Sequence, residues 1–377
     1  MKALLLGYGE MGEESLKDLY YFGGFEEIKI GTRTPSRVSS IIEKLEANQT
    51  IISVNEVEAS DVEALSKLMQ GCNIAINCTG PNYKYEIPVA LAAIESKVDL
   101  VDINDEYEIT PQMYDLNEQA IKANILIVFG LGGCPGIDNI LVRSATNQLD
   151  EVEEIHTSWV MSGADPGGLA LSYHLLHSLS GTALTVKDGK MIEVRSFIDG
   201  KERLLFPDPV GEVYVYHIGH PEPITLWRTF PTAKYVDNKA TFVPSEVNDL
   251  ILKLGKIIRG EIEPIRVDGA IINSMDTAAV YLNKTCKNIN NVPQEAALRV
   301  EVSGIKKNKR RKVIFSSVGR LARATGRAAA IGAIMITQGK VKMKGVHPPE
   351  ACFEPNDFLY EILDRRNVAQ LNGWIEE

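Results

Sequence analysis

Ala3-Leu4-Leu5-Leu6-Gly7-Tyr8-Gly9-Glu10-Met11-Gly12 opens the chain with a short apolar run and three glycines at the G-x-G-x-x-G spacing. The run reads as a strand, and a helical pattern follows from Glu13 to Tyr21. Each glycine answers a local demand. Gly7 allows the tight turn off the strand, Gly9 lets backbone approach a pyrophosphate, and Gly12 lets helix pack close to strand. The helix N-terminus offers unpaired N–H groups and partial positive charge to phosphates. A second strand, Glu27 to Gly31, closes a βαβ unit of about 30 residues, the context that gives the spacing its meaning. Gly7, Tyr8, Gly9, Glu10, Met11 and Gly12 are therefore expected to bind a dinucleotide.

The end of the second strand bears on which dinucleotide. An NAD-preferring fold places Asp or Glu there to accept from the ribose 2′-OH. This chain has Ile30-Gly31-Thr32-Arg33-Thr34, with Arg37 nearby and no carboxylate. Arg33, between Thr32 and Thr34, can hold a 2′-phosphate by charge-assisted hydrogen bonds. The cofactor expected is NADP, with NAD the alternative.

Alternation continues beyond this unit. Pro35 to Ala47 reads as a helix, Ile51 to Val54 as a strand, and Ser60 to Gln70 as a helix started by Asp61. Asn73 to Asn77 is a short buried strand ended by Cys78-Thr79-Gly80-Pro81. Loops at the carboxyl ends of such strands face the ligand, so Cys78, Thr79, Gly80 and Pro81 are expected beside the cofactor. A helix from Pro88 to Ser96 precedes a strand from Asp99 to Ile103, which delivers Asp102, Asn104 and Asp105 to the same edge. Pro111 to Ala123 is helical and Ile125 to Phe129 a strand. This is the pattern of a Rossmann-type, doubly wound parallel sheet in an α/β chain.

The pattern changes after Gly130. Gly130 to Gly136 reads as a flexible crossing, and Ile137 opens a helix reaching about Gln148. Glu154 to Met161 alternates as a strand, and the pairs Asp188-Gly189 and Asp199-Gly200 signal hairpins. Val213 to Ile218 is strand-like. Ser245 is expected to cap a helix ending at Gly260. Leu298 to Val302 is expected to pair with Lys312 to Ser317 across a solvated loop, Lys306-Lys307-Asn308-Lys309-Arg310-Arg311-Lys312. Ala324 to Thr337 is helical again. The domains expected are 1–130 plus 321–377 for the dinucleotide, with 131–320 an inserted α+β domain carrying a largely antiparallel sheet.

The 377 residues suit two or three domains, and hydrophobic (45%) and charged (24%) fractions are ordinary for a globular chain. A net charge of −10 argues against a nucleic-acid surface. Five dispersed cysteines show no C-x-x-C pair or metal-ligand spacing, so no metal is expected and a reducing, cytoplasmic setting is. No apolar stretch approaches a membrane span, and the four apolar residues before Gly7 are too few for a signal peptide.

Taken together, these stretches resemble the saccharopine dehydrogenase family of NAD(P)-dependent oxidoreductases. The resemblance rests on Gly7 to Gly12, Thr32-Arg33-Thr34, Leu100-Val101-Asp102 and Pro135-Gly136-Ile137-Asp138-Asn139. Later come Gly219-His220-Pro221-Glu222 with Thr225-Leu226, then Thr325-Gly326, and Gly345-Val346-His347-Pro348-Pro349-Glu350. It implies a homodimer formed through the inserted domain's sheet. It also implies hydride transfer to or from an imine carbon, at the C–N bond of an amino acid or polyamine derivative, in a cleft. Saccharopine reductases carry Asp-Pro-Gly at the crossing where this chain has Cys134-Pro135-Gly136, and the His-Pro-Glu stretch is similar to the lysine 6-dehydrogenase branch.

Amine oxidation needs a proton acceptor. Asp102 and Asp105, at a strand's carboxyl end, are the best-placed carboxylates, with helix capping near Pro111 as their other reading. His177 and His220 are further acid/base candidates, or structural histidines. Asn104, Cys134 and Arg228 are candidate substrate contacts: Arg228 as a carboxylate clamp or a surface ion pair, Cys134 as a small lining residue. Two other readings stay open: a carbonyl or enoyl reductase on the same fold, and a non-enzymatic dinucleotide sensor.

Overall fold

The computed structural model describes all residues except 47–48, 166, 180, 260–265, 268–269, 272, 365–369 and 377. The chain divides into two compact units, Met1–Ile140 with Ala322–Arg366, and Leu141–Leu321 with Asn367–Glu377.

In the first unit, β1 (Lys2–Leu6), α1 (Glu10–Phe22) and β2 (Glu27–Thr32) form the opening βαβ. They are followed by α2 (Ser36–Ile42), β3 (Ile51–Glu56), α3 (Val62–Met69) and β4 (Ile74–Asn77). Then come α4 (Asn82–Ser96), β5 (Asp99–Asp102), α5 (Thr110–Asp115), α6 (Asn117–Ala123) and β6 (Leu126–Val128), and α7 (Ile137–Thr146) spans the boundary between the units.

The second unit carries β7 (Glu151–Ser162), α8 (Leu169–Ser178), β8 (Thr182–Lys187), β9 (Lys190–Arg195), β10 (Glu202–Leu205) and β11 (Glu212–His217). It continues through α9 (Glu222–Thr229), β12 (Tyr235–Val243), α10 (Glu246–Ile258), β13 (Arg266–Val267), β14 (Ala270–Ile271) and α11 (Ser274–Cys286). A long hairpin follows, β15 (Ala296–Lys306) and β16 (Lys309–Gly319). The chain ends with α12 (Leu321–Thr337), β17 (Gly345–His347), α13 (Pro349–Cys352), α14 (Pro355–Asp364) and β18 (Gln370–Glu376).

The first sheet is parallel throughout, in the order β17-β6-β5-β4-β1-β2-β3. The order reverses between β1 and β4, so the loops that follow these strands flank the point where doubly wound sheets take ligands. Its inner strands β1, β4, β5 and β6 are buried along nearly their whole length, as burial beneath helices on both faces demands, whereas the edge strand β3 is partly exposed. Leu4, Leu65, Val89, Leu100, Ile127 and Phe129 share one buried cluster. The seventh strand, β17, comes from the Gly345-Val346-His347 stretch, too short to carry a strand signal of its own.

The second unit's sheet runs β10-β11-β12-β7-β15-β16-β18, with the β8–β9 hairpin attached to β12. It is largely antiparallel; the pairing of β12 with β7 at its centre is parallel. Asp188-Gly189 makes the expected two-residue turn, both residues at positive φ (52° and 69°). Asp199-Gly200 does not join paired strands, because β9 pairs with β8 and β10 with β11.

Local readings are corrected at four further places. Pro88 lies inside α4, which begins at Asn82 rather than at the proline. The helix from Pro111 is two, broken at Leu116. Ser245 has helical dihedrals and its hydroxyl caps nothing; Asn248 anchors that end, accepting from Phe242 N (3.0 Å) and donating to Thr241 Oγ1 (2.9 Å). Gly260, the proposed end of that helix, lies outside the described residues. Finally, the basic run is not a loop: only Lys307-Asn308 forms the turn, and its flanks are strand. Arg310 and Lys312 there pair with Glu154 (3.1 Å) and Glu301 (2.5 Å).

Candidate functional site

The glycine loop is built as its spacing demands. Gly7 sits at φ +83°, and a Cβ on it would lie 2.6 Å from the Cys78 carbonyl oxygen. A Cβ on Gly12 would lie 2.1 Å from the Gly7 oxygen, so the helix approaches the strand as closely as backbone allows. Gly9 caps α1 in extended conformation with no side chain serving its N–H groups. Unlike the other two, it faces open space, with no atom within 4 Å of a Cβ placed there. Backbone close on one side and open at the helix N-terminus is what a pyrophosphate requires, so these residues fit a dinucleotide. The Tyr8 hydroxyl is buried without a hydrogen-bond partner among the described residues, and burial raises its pKa.

At the end of β2, the Arg33 guanidinium is 62% exposed. It lies over the Tyr85 ring, 5.8 Å from its centroid, 3.4 Å from its hydroxyl and 4.0 Å from Glu58. The Thr34 N–H donates to Thr32 Oγ1 (3.2 Å), shaping the turn.

The ends of β4 and β5 hold a connected polar cluster. The Thr79 N–H and hydroxyl donate to Asn77 Oδ1 (3.0 and 2.6 Å). Asn77 Nδ2 in turn donates to Asp102 Oδ2 (2.5 Å), and the Asn104 N–H donates to Asp102 Oδ1 (2.8 Å). Asn82 Nδ2 donates to Asp105 Oδ1 (2.8 Å). Asn77, Asp102 and Asn104 are fully buried, as is Glu86 on α4. The Glu86 carboxyl faces that of Asp102, and no donor from a neighbouring described residue reaches either Glu86 oxygen. Burial pushes Asp102 up to about 6, although Glu86, Asn77 and Asn104 each pull it down. Glu86 is raised well above the ordinary glutamate range, by burial first and then by Asp102 and Asp105. Burial also pushes the Cys78 thiol up to about 12, so it is inert.

The Gly130–Gly136 crossing belongs to the first unit and is tied down. The Leu131 N–H donates to the Asp102 carbonyl (2.8 Å), Gly132 N–H to the Pro135 carbonyl (2.8 Å), and Gly133 N–H to Thr325 Oγ1 (3.3 Å). Cys134, half-buried, sits in this segment. Asp138 and Asn139 side chains both accept from the Gly136 N–H (2.9 and 3.0 Å), and Asn139 Nδ2 donates to buried Glu350 (2.9 Å). The Pro-Gly-Ile-Asp-Asn and Gly-Val-His-Pro-Pro-Glu stretches, joined by a contact across 211 positions, are thus one hydrogen-bonded clasp.

In the second unit, His220 is buried with its Nδ1 2.7 Å from Glu222 Oε2. His174 stands edge-on to it (5.8 Å between centroids), with its Nδ1 3.2 Å from Ser178 Oγ, and the Trp159 ring lies 5.5 Å away. His177 is half-buried in the last turn of α8, and Arg228 is exposed at the end of α9. Sequence reasoning missed His174 and Glu86. The His174–Ser178 spacing of four on an apolar helix was the available signal for the first.

Residues 3–128 match the family described as saccharopine dehydrogenase NADP binding domain. The chain carries that domain. The chain is an NAD(P)-binding oxidoreductase similar to the saccharopine dehydrogenases. Carboxyaminopropylagmatine dehydrogenase of Synechocystis is 22% identical over 96% of this chain and 95% of that protein. The mitochondrial alpha-aminoadipic semialdehyde synthase of Bos taurus is 28% identical over 42% of this chain and 16% of that protein. Saccharopine dehydrogenase (L-Glu forming) from Saccharomyces cerevisiae superposes with a TM-score of 0.72 at 16% identity, each chain covered in full, and so shares the fold. Among the described residues no helix is long and apolar enough to cross a membrane.

Proposed function

We propose that this oxidoreductase acts on the C–N bond of an amino acid or polyamine derivative and prefers NADP. The observation that carries the reading is Asp102. It is a buried carboxylate with a pKa near 6, at the edge of the parallel sheet where the glycine loop also ends. The dinucleotide, when bound, accepts or supplies the hydride. Gly7 to Gly12 hold its pyrophosphate, Cys78 to Pro81 line its path, and Arg33 with Thr32 and Thr34 takes the 2′-phosphate. Asp102, ionised above pH 6, takes the proton from the amine nitrogen in the oxidising direction and returns it in reduction. Asp105, Asn104 and Cys134 are proposed substrate neighbours in the first unit. In the second, His220 held by Glu222, with His177, is a further proton-carrying candidate, and Arg228 a carboxylate clamp. The full-length likeness to a dehydrogenase named for a carboxyaminopropyl amine supports a substrate with both amine and carboxylate groups. We further propose that residues 1–130 with 321–377 serve the dinucleotide, and that residues 131–320 serve the substrate and a homodimer. A cytoplasmic location is proposed from cysteine usage alone.

The test is NADPH oxidation with a panel of amines, each combined with a 2-oxo acid or an aldehyde. Turnover that requires both partners is expected. Turnover of a carbonyl compound without amine would replace the reading by carbonyl reduction, and tight dinucleotide binding without turnover would leave a sensor.

A further inference from the structure

We infer that Glu86 is a positioning residue that carries a proton at neutral pH and donates it as a hydrogen bond to Asp102, holding Asp102 in its ionised, proton-accepting form. The inference rests on the proposed acid/base role of Asp102.

The argument is one of donors. Two fully buried carboxyl groups, Glu86 and Asp102, lie within hydrogen-bonding reach of each other, and two carboxylates cannot share a dry site without a proton between them. Where the proton resides follows from the surroundings. Asp102 receives two N–H donors, from Asn77 and from the Asn104 backbone, and both favour its charged form. Glu86 receives none from the neighbouring described residues, although both of its oxygens are buried. An ionised Glu86 would therefore be an uncompensated buried charge, whereas a protonated one has a donor for which Asp102 is the acceptor at hand. The charges facing the pair act in the same sense. Asp105 disfavours a second negative charge on Glu86, and the nearby Cys78 thiol stays neutral. Glu86 reaches this place because α4 starts at Asn82 and turns its first buried residues, Asn82, Tyr85 and Glu86, inward.

Three variants test the assignment, with NADPH binding as the check that each is folded. Gln at position 86 keeps a neutral donor, so Glu86→Gln should keep the acid limb of kcat/KM for amine oxidation where it is in the unsubstituted chain. Glu86→Leu removes the donor and should move that limb upward by about one to two pH units, the size of one hydrogen bond to a charged group. A limb moved downward in Glu86→Gln would show that Glu86 had been ionised. A limb unmoved in both variants would make Glu86 a bystander. Either result overturns the inference. Asp102→Asn separates failure of the underlying reading: an acid limb that survives in it belongs to another group. The protonation state is then read without activity, from the infrared carbonyl band of a protonated carboxylic acid at neutral pH. That band should be present in the unsubstituted chain and lost in Glu86→Gln; its absence from the unsubstituted chain overturns the inference.

Discussion

The glycine loop and the carboxyl cluster lie at the same edge of one sheet, yet they are built in opposite ways. The loop works through backbone: N–H groups at a helix end, one glycine at positive φ, and an open side at Gly9. Everything it needs comes from about a dozen consecutive residues. The cluster works through side chains gathered from β4, α4, β5 and the loop after it, joined by hydrogen bonds that act on the charge of Asp102. A backbone site is fixed by local sequence, whereas a side-chain site is fixed only once the packing is known. Different substitutions should therefore break the two sites separately.

The largest expected effect is at the loop. Gly9→Val fills the open space that the pyrophosphate needs, while touching no atom of the fold within 4 Å. Losing two charge-assisted hydrogen bonds costs about 3–6 kcal/mol, which weakens dinucleotide affinity on the order of 10²–10⁴-fold. Calorimetry on the folded variant measures this, and unchanged affinity would remove the loop assignment.

A smaller effect is expected at Arg33. Arg33→Ala should weaken NADP binding by about 1.5–3 kcal/mol and leave NAD binding as it was, because only NADP offers a 2′-phosphate. Equal losses for both dinucleotides would make the arginine a bystander beside Tyr85 and Glu58.

The smallest effect lies in the second unit, at the His156–Asp237 charge pair. Burial opposes charge on His156, but Asp237 (3.0 Å) and Glu154 outweigh it and raise the imidazole to about 10. Burial likewise opposes charge on Asp237, and His156 with Lys239 holds it down at about 2. A folded-state histidine pKa raised from 6.5 to about 10 stabilises fully below pH 6.5, and that stability is lost as pH rises through 10. His156→Asn should cost about 1–2 kcal/mol at pH 6, between the values for exposed and buried pairs, and almost nothing above pH 10. Trp159, Trp227 and Trp374 all belong to the second unit, so tryptophan fluorescence in urea reads its unfolding. A cost equal at both pH values would contradict the pairing.

The contrast between loop and cluster also explains what was legible in the sequence. Strand–glycine–helix order, the alternation to Phe129 and the change of pattern after Gly130 are written in local periodicity, and the fold class follows from them. Asp102 was legible because a strand's carboxyl end is a place that can be counted to. Glu86 was not, because Pro88 reads as a helix start and leaves Glu86 in a loop. In the structure the proline is tolerated inside α4, and the turn before it buries Glu86. The basic run was misread for the opposite reason: charge suggested a loop, although strands at a solvated face tolerate paired charges. The clasp between Asn139 and Glu350 depends on a contact across 211 positions, which no local pattern encodes.

The most direct test of the central claim compares Gly9→Val and Asp102→Asn by two readouts, NADPH affinity by calorimetry and turnover at saturating dinucleotide. Asp102→Asn should bind NADPH as the unsubstituted chain does and lose turnover on the order of 10²–10⁴-fold, while Gly9→Val should lose affinity first. Full turnover in Asp102→Asn, or loss of dinucleotide affinity in it equal to that of Gly9→Val, would contradict the division of labour between backbone loop and buried carboxylate.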